Sequence, residues 1–383
     1  MKPEIVKPEI VKIETMQTDM TRRQMLQTAG LTTAMAALTI LAFAQDSSPT
    51  IGIALVGGAH IHTPQYISAL KNRKSVIVKG VWDHDAPRAE KCARALGCKT
   101  VADVKEIWAD PTITAVVICS ETNRHHDLVM AAAHAKKHMF VEKPLGITAK
   151  ESFAMADTIE KANLLFTTGY FMRGAREHLF LKDQIAKGSF GKITRVRGSN
   201  AHNAALGGWF DGEYRWMADP KIAGIGGFGD LGTHSFDLLM WMLGGIDMVT
   251  ADITSITNRY PGCDEYGESL IKFQSGVIGT VAAGWVDVDN PVPLLISGTE
   301  GRATIVDGLL YFKSSKVPKA DGQEAWSDLP KALPPPIAQF FDALEGKPHD
   351  NLVKPHEAAL RVAAIEAAYK SAHTQAWVKV AQG

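Results

Sequence analysis

Asp230 and His234 stand four residues apart in Gly226-Gly227-Phe228-Gly229-Asp230-Leu231-Gly232-Thr233-His234, which opens a helix predicted to run to residue 243. On a helix, that spacing puts an acid and an imidazole on one face within reach of each other. Far upstream, Glu142-Lys143-Pro144 closes an apolar run and offers a cation on backbone stiffened by proline. Lysine, aspartate and histidine together suit the oxidation of an alcohol. They supply a base for the hydroxyl proton, an acid to orient that base, and a positive charge for the developing alkoxide. An acid–imidazole pair on a helix is more often structural, so the surrounding elements must carry the assignment.

Those elements alternate. Apolar runs at 51–56, 76–82, 99–102, 115–119, 138–142 and 164–170 are separated by helical patterns at 64–72, 87–96, 104–108, 125–135 and 149–162. This order predicts an α/β, Rossmann-type, doubly wound parallel sheet. Beyond residue 170 a helix at 175–186 leads into β-type runs at 193–199, 248–257, 268–273, 277–286, 293–298, 303–306 and 309–313. Consecutive strands predict a C-terminal α+β domain on a large, mostly antiparallel open sheet. A stiff Pro334-Pro335-Pro336 connector precedes helices at 337–345 and 356–372 and a last strand at 377–380. The expected organisation is a leader with signal peptide (1–48), a dinucleotide-binding domain (50–170), a substrate and oligomerisation domain (171–330) and a C-terminal segment (331–383).

The turn after the first strand reads Gly57-Gly58-Ala59-His60-Ile61-His62. It is not a clean G-x-G-x-x-G, but it follows a buried strand, opens a helix and precedes Asp83 at the end of strand two. Glycines there let backbone N–H groups approach a pyrophosphate. Asp83 is expected to accept hydrogen bonds from the adenosine ribose and repel a 2′-phosphate, favouring NAD, while His84 and Arg88 leave room for NADP. Otherwise Asp83 is a plain turn aspartate. His60 and His62 could chelate zinc, yet no carboxylate or cysteine completes a set of convincing spacing, so no metal is expected. Cys92, Cys98, Cys119 and Cys263 show neither metal nor disulfide-framework spacing.

Lysine plus arginine equals aspartate plus glutamate, 41 each, which leaves no basic excess for nucleic acid. At the start of the chain, Thr21-Arg22-Arg23-Gln24-Met25-Leu26 precedes a mildly apolar run at 29–44 that ends in Ala42-Phe43-Ala44. The run is too short and too polar for a spanning helix. Paired arginines, a weak apolar segment and an A-x-A site resemble a twin-arginine export signal. A periplasmic product is expected, with the twin-arginine machinery as partner and no membrane contact in the mature form. An enzyme exported folded to a compartment without free dinucleotide should carry its cofactor tightly bound.

Four segments resemble the glucose–fructose oxidoreductase / inositol dehydrogenase / rhizopine-catabolism (Gfo/Idh/MocA) family. Ser120-Glu121-Thr122-Asn123-Arg124-His125-His126 is similar to its Thr-Pro-Asn-x-x-His, with Thr122 where proline is usual. Residues 135–145 are similar to its most diagnostic segment, and 226–244 to its Gly-Gly-(x)2-Asp-x-Gly-x-His-x-x-Asp helix. Tyr369-Lys370-Ser371-Ala372 is similar to its C-terminal Ser-Ala element. The resemblance implies that Lys143 contacts nicotinamide ribose and substrate hydroxyl, that His234 is the general base, and that Asp230 lies beside it at the sugar. It also implies that Asn123, His126 and Glu142 help hold the cofactor, and that subunits pair as a dimer or tetramer. The full expected cofactor set is Gly57, Gly58, His60, Ile61, Asp83, Ser120, Asn123, His126, Glu142 and Lys143.

On the substrate side, Asn200, His202, Trp209, Arg215 and Trp216, with Arg173 past the sixth apolar run, mix aromatic faces with hydroxyl-binding groups as a sugar pocket would. The sequence admits three functions. The first is an NAD(P)-dependent oxidoreductase acting on a secondary hydroxyl of a sugar, cyclitol or glycoside. The second is a glycoside hydrolase that oxidises C3 transiently, eliminates the aglycone and reduces the ketone back. The third is a non-catalytic sugar binder.

Overall fold

The computed structural model describes residues 50–383. The export features at Arg22-Arg23 and 42–44 lie outside the described residues. Strand β1 (Ile51–Val56) leads through the glycine turn into α1 (Thr63–Asn72), which Pro64 starts by fixing φ where no N–H is needed. Then come β2 (Val76–Trp82), α2 (Ala86–Leu96), α3 (Val104–Ala109), β3 (Ala115–Ile118), α4 (His125–His134), β4 (His138–Val141), α5 (Ala149–Lys161) and β5 (Phe166–Thr168). The five strands form one parallel sheet in the order β2-β1-β3-β4-β5. β1, β3 and β5 are buried at every position, as a sheet covered by helices on both faces requires. The strand expected at 99–102 is reduced to one bridge, Val81 to Thr100.

The second sheet follows α6 (Arg176–Ala186). It begins with β6 (Ile193–Ala201), and α7 (Pro220–Ala223) and α8 (Gly227–Leu243) come before its next strand. β7 (Ile246–Thr254), β8 (Tyr266–Phe273), β9 (Ile278–Gly284), β10 (Leu294–Gly298), β11 (Gly301–Val306), β12 (Leu309–Ser314) and β13 (Asp321–Ala325) follow. Helices α9 (Pro336–Leu344) and α10 (Pro355–Thr374) and strand β14 (Val378–Lys379) end the chain. The nine strands lie in the order β13-β12-β11-β10-β6-β9-β8-β7-β14, antiparallel except β6 with β9. β13 is largely exposed and polar, and the periodicity did not predict it.

Helix α8 joins the halves. Nearly all of it is buried, from Gly227 to Met242, because it packs on β6 and β9 while its amino end meets the carboxyl ends of the parallel strands. Gly226 and Gly227 permit this. A Cβ on Gly227 would sit 2.3 Å from the Glu265 carbonyl oxygen, so only glycine lets the helix start this close to β8. The C-terminal helices return to the first layer: Phe340 and Phe341 of α9 pack with Leu55 and Phe140, and Val362 of α10 with Met155 and Ile159 of α5.

Candidate active site

Lys143 lies two residues past the end of β4 and is joined to Pro144 by a cis peptide bond. Its ammonium donates to Asp230 Oδ1 at 2.6 Å, in the first turn of α8. Trp285, just past β9, donates its indole N–H to Asp230 Oδ2 at 3.0 Å. Burial pushes the Asp230 carboxyl up, but the adjacent Lys143 charge and hydrogen bond reverse this and hold it below the usual carboxylate range. The helix N-terminus favours the same negative charge.

His234, one turn further along, is 3% exposed, and its Nδ1 has no hydrogen-bond partner among the described residues. Its ring lies 5.0 Å from Phe171 and edge-on to Tyr170 at 5.9 Å. Burial, reinforced by Lys143, holds the imidazole well below its ordinary range and therefore neutral. The expected pairing of Asp230 with His234 is thus corrected. The two share a helix face, but the carboxylate is spent on an ammonium and an indole, which form stronger bonds to it than a neutral ring would.

Lys143, Asp230 and His234 line one cavity of about 320 Å³. Asn200, His202 and Trp209 line it too, as expected for substrate binders. The His202 ring lies 5.1 Å from Trp209, whose face is 49% exposed. Three expected substrate residues lie elsewhere. Arg173 is buried in an ion cluster, bound through Nε to Asp237 at 2.9 Å and through Nη1 to Glu357 at 3.1 Å, with Arg361 on the same aspartate. Arg215 lies over Tyr260 and donates to the Ala218 carbonyl. Trp216 donates its indole N–H to the Ala59 carbonyl at 3.1 Å and packs beside His60, so it faces the glycine turn. The sequence reading missed Gln65 and Phe171 as cavity walls. The signal for Phe171 was its place one residue past Gly169-Tyr170 at the mouth of β5.

Most of the residues expected to hold the cofactor lie past the carboxyl ends of β1–β4. Gly57 has φ +83°, and a Cβ there would lie 2.6 Å from the Ser120 nitrogen, so the turn requires glycine. Ile61 reaches the active cavity. Asp83 is buried. It accepts from Gly58 N–H at 2.7 Å and Asp85 N–H at 2.9 Å, and takes a two-pronged contact from Arg88, both arms at 2.7 Å. Arg88 also reaches Glu121 at 2.9 Å. The acid expected at a ribose is present, then, but already clamped by an arginine. Asn123 is exposed on the following turn. His126 faces Asp127 at the surface, 3.0 Å away, which corrects its assignment. The inward histidine is His125, 1% exposed, with Nδ1 3.1 Å from the Pro144 carbonyl oxygen and Nε2 3.3 Å from that of Ser120.

The expectation that no carboxylate joins His60 and His62 is also corrected. Glu142, fully buried, brings the three into a cluster of possible metal ligands within 4.8 Å of one another. The cluster is closed by hydrogen bonds. His62 Nδ1 lies 2.9 Å from Glu142 Oε1, the Tyr66 hydroxyl donates to the same oxygen, and Lys143 N–H donates to Oε2 at 2.8 Å. Burial opposed by Glu142 leaves His60 at about 3, a neutral ring that accepts the His62 backbone N–H. A dinucleotide fits this surface. The glycine turn admits a close-lying backbone, and Lys143 and His234 line the cavity where a nicotinamide and a hydroxyl would meet.

The chain matches two family models. One is the oxidoreductase family with NAD-binding Rossmann fold of Gfo/Idh/MocA, over residues 51–170, and the other is the Gfo/Idh/MocA C-terminal domain, over 178–304. Myo-inositol 2-dehydrogenase of Thermotoga maritima is 28% identical over 238 residues, 60% of this chain and 66% of that protein. Levoglucosan dehydrogenase of Pseudarthrobacter phenanthrenivorans is 28% identical over 238 residues, 56% of this chain and 60% of that one. The match thus spans just under two thirds of both relatives. A solved levoglucosan dehydrogenase in complex with NADH superposes with TM-score 0.74 at 23% identity, covering 87% of this chain and all of that one, and shares its fold.

Proposed function

The chain belongs to the Gfo/Idh/MocA oxidoreductase family, and from that premise we propose that it transfers a hydride between NAD and a secondary hydroxyl of a sugar, cyclitol or glycoside. The observation that carries this is the neutral His234 imidazole lining the same cavity as Lys143, whose ammonium Asp230 fixes. His234 takes the hydroxyl proton, Lys143 stabilises the alkoxide charge, and Asp230 with Trp285 fixes the ammonium. The nicotinamide, when bound, is the hydride acceptor. Asn200, His202 and the exposed face of Trp209 orient the ring. Gly57, Gly58, Ile61, Ser120 and Glu142 hold the cofactor. Purified protein given a panel of sugars, cyclitols and glycosides should reduce NAD with at least one. His234→Ala should lose on the order of 10²–10⁴ in rate. A folded His234→Ala that kept the wild-type rate would overturn this.

Export through the twin-arginine pathway, to the periplasm and with the dinucleotide already bound, belongs to the same proposal. It is supported by Arg22-Arg23 and Ala42-Phe43-Ala44. For retention, the support is the segment carrying Glu213 and Trp216, which is tied to α2 by the Lys91–Glu213 pair at 2.8 Å and to the glycine turn by the Trp216 N–H on the Ala59 carbonyl. Replacing both arginines by lysine should leave folded, uncleaved protein in the cytoplasm, and normal periplasmic accumulation would refute the route. Pairing of subunits is supported by the in–out alternation of β8 and its neighbour β9, which leaves Leu270 of β8 and Ile278 of β9 exposed. A monomer by light scattering would refute it.

A further inference from the structure

A second cavity, of about 410 Å³, adjoins the first, and His62, Gln65 and Phe171 line both. The two chambers differ in chemistry. The first holds Lys143, Asp230, His234, Asn200 and His202. Beyond the shared residues, the second is walled by Tyr66, Ala69, Phe140 and Ile337, with two prolines at its rim. Its one further side-chain hydroxyl, on Tyr66, is committed to Glu142. Free polar side chains therefore stand at the junction, and the rest of the chamber suits an apolar ring better than a second sugar, whose hydroxyls would lack side-chain partners there. Phe171 marks the passage. It is 54% exposed although it lies 5.0 Å from His234, so it presents bare aromatic surface between the chambers.

We propose that the second chamber is an aglycone subsite, and that the substrate is a glycoside whose aglycone is aromatic. This rests on the function proposed above and narrows its substrate class. The sugar lies among the polar residues of the first chamber. The aglycone passes Phe171 and stacks against Tyr66, over a floor formed by Phe140, which lies 4.9 Å from the Tyr66 ring. The chamber volume falls within the range of small-molecule sites and suits one or two fused rings.

The test compares methyl and 2-naphthyl glycosides of the sugar most active in the panel (glucose if none is active), in both anomers, with the holoprotein. Both kcat/KM and calorimetric binding are measured. The naphthyl glycoside should exceed the methyl one at least tenfold in one anomer. Ala69→Trp, or the milder Ala69→Leu if the first misfolds, should collapse that ratio towards one while leaving the methyl glycoside unchanged. If no sugar is oxidised but the naphthyl preference in binding exists and Ala69→Trp abolishes it, the chamber stands and the redox function falls. If methyl and naphthyl glycosides are oxidised or bound equally, or the Ala69 variants weaken both alike, the aglycone subsite is overturned.

Discussion

The ammonium of Lys143 lies 2.6 Å from Asp230 Oδ1, a contact spanning 87 residues of sequence that joins the end of a parallel strand to the start of the helix packed on the second sheet. Both side chains are nearly buried, at 3% and 12% exposure. Asp230 is therefore hydrogen-bonded to Lys143 and not to His234, on which it acts through its charge alone.

Stability and activity should then respond differently to the two residues. Lys143→Met leaves a buried carboxylate with only the Trp285 N–H, and breaking such a pair from one side costs roughly 3–5 kcal/mol. It should lower both Tm and kcat. The double variant Lys143→Met/Asp230→Asn should be as inactive as Lys143→Met but recover most of the lost Tm, since no unpaired charge remains. Additive losses in Tm would mean that the pair contributes nothing as a unit.

A base must be unprotonated to act, and burial with Lys143 nearby holds His234 well below its ordinary value of 6.5. The acid limb of kcat/KM should accordingly fall below pH 6.5, with activity flat from there to neutrality. Lys143→Met removes the nearby positive charge and should move that limb upward in whatever activity remains. A limb at or above 6.5 in the wild type would show His234 to be solvated, contrary to its burial.

The alternation of apolar runs and helical patterns made the parallel sheet legible, because its strands are buried on both faces and read as continuous runs. Lys143, Asp230 and His234 were legible as residue types, and the fold brings them to one cavity. Their wiring was not legible. Trp285 on Asp230, Glu142 between His60 and His62, and Arg88 with Glu121 at Asp83 are contacts between elements, and local spacing carries no trace of them. The i, i+4 rule led to the wrong partner for Asp230, since a distant ammonium outcompetes a neighbouring neutral ring. His126 followed from its place in the motif, whereas the phase of α4, which local sequence does not show, turns His125 inward.

His60 makes stability pH-dependent in a defined direction. It is 2% exposed, and burial opposed by Glu142 takes it from 6.5 to about 3. The unfolded chain binds a proton near pH 6.5 that the folded chain refuses until about 3, so His60's contribution is full above 6.5 and is lost as the pH falls through that window. The slope for one group is about 1.4 kcal/mol per pH unit. Urea midpoints measured from pH 7 to pH 5 should decline in the wild type and decline less steeply in His60→Gln. Equal slopes would mean that the ring titrates normally in the fold.

Arg88 should set the choice between dinucleotides. It clamps Asp83 through both oxygens, so the carboxylate meets a ribose with its charge largely answered, and the guanidinium lies where a 2′-phosphate could find it. Asp83 is itself held below the usual carboxylate range, burial being outweighed by the Arg88 hydrogen bonds together with the backbone N–H groups of Asp85 and Gly58, and those two N–H groups remain to favour the carboxylate when Arg88 is removed. Arg88→Gln should therefore leave a free acceptor for ribose hydroxyls and an uncompensated negative charge against phosphate. A hydrogen bond to a charged group contributes about 1.5–3 kcal/mol, so the ratio of NAD to NADP affinity should rise by roughly ten- to a hundredfold. Asp83→Ala should do the opposite, and should also loosen the glycine turn, because Gly58 N–H loses its acceptor at 2.7 Å. Fluorescence titration of apoprotein with both dinucleotides reads the ratio directly. If it stays unchanged in Arg88→Gln, the arginine serves only to neutralise a buried acid, and discrimination must come from another part of the β2 end.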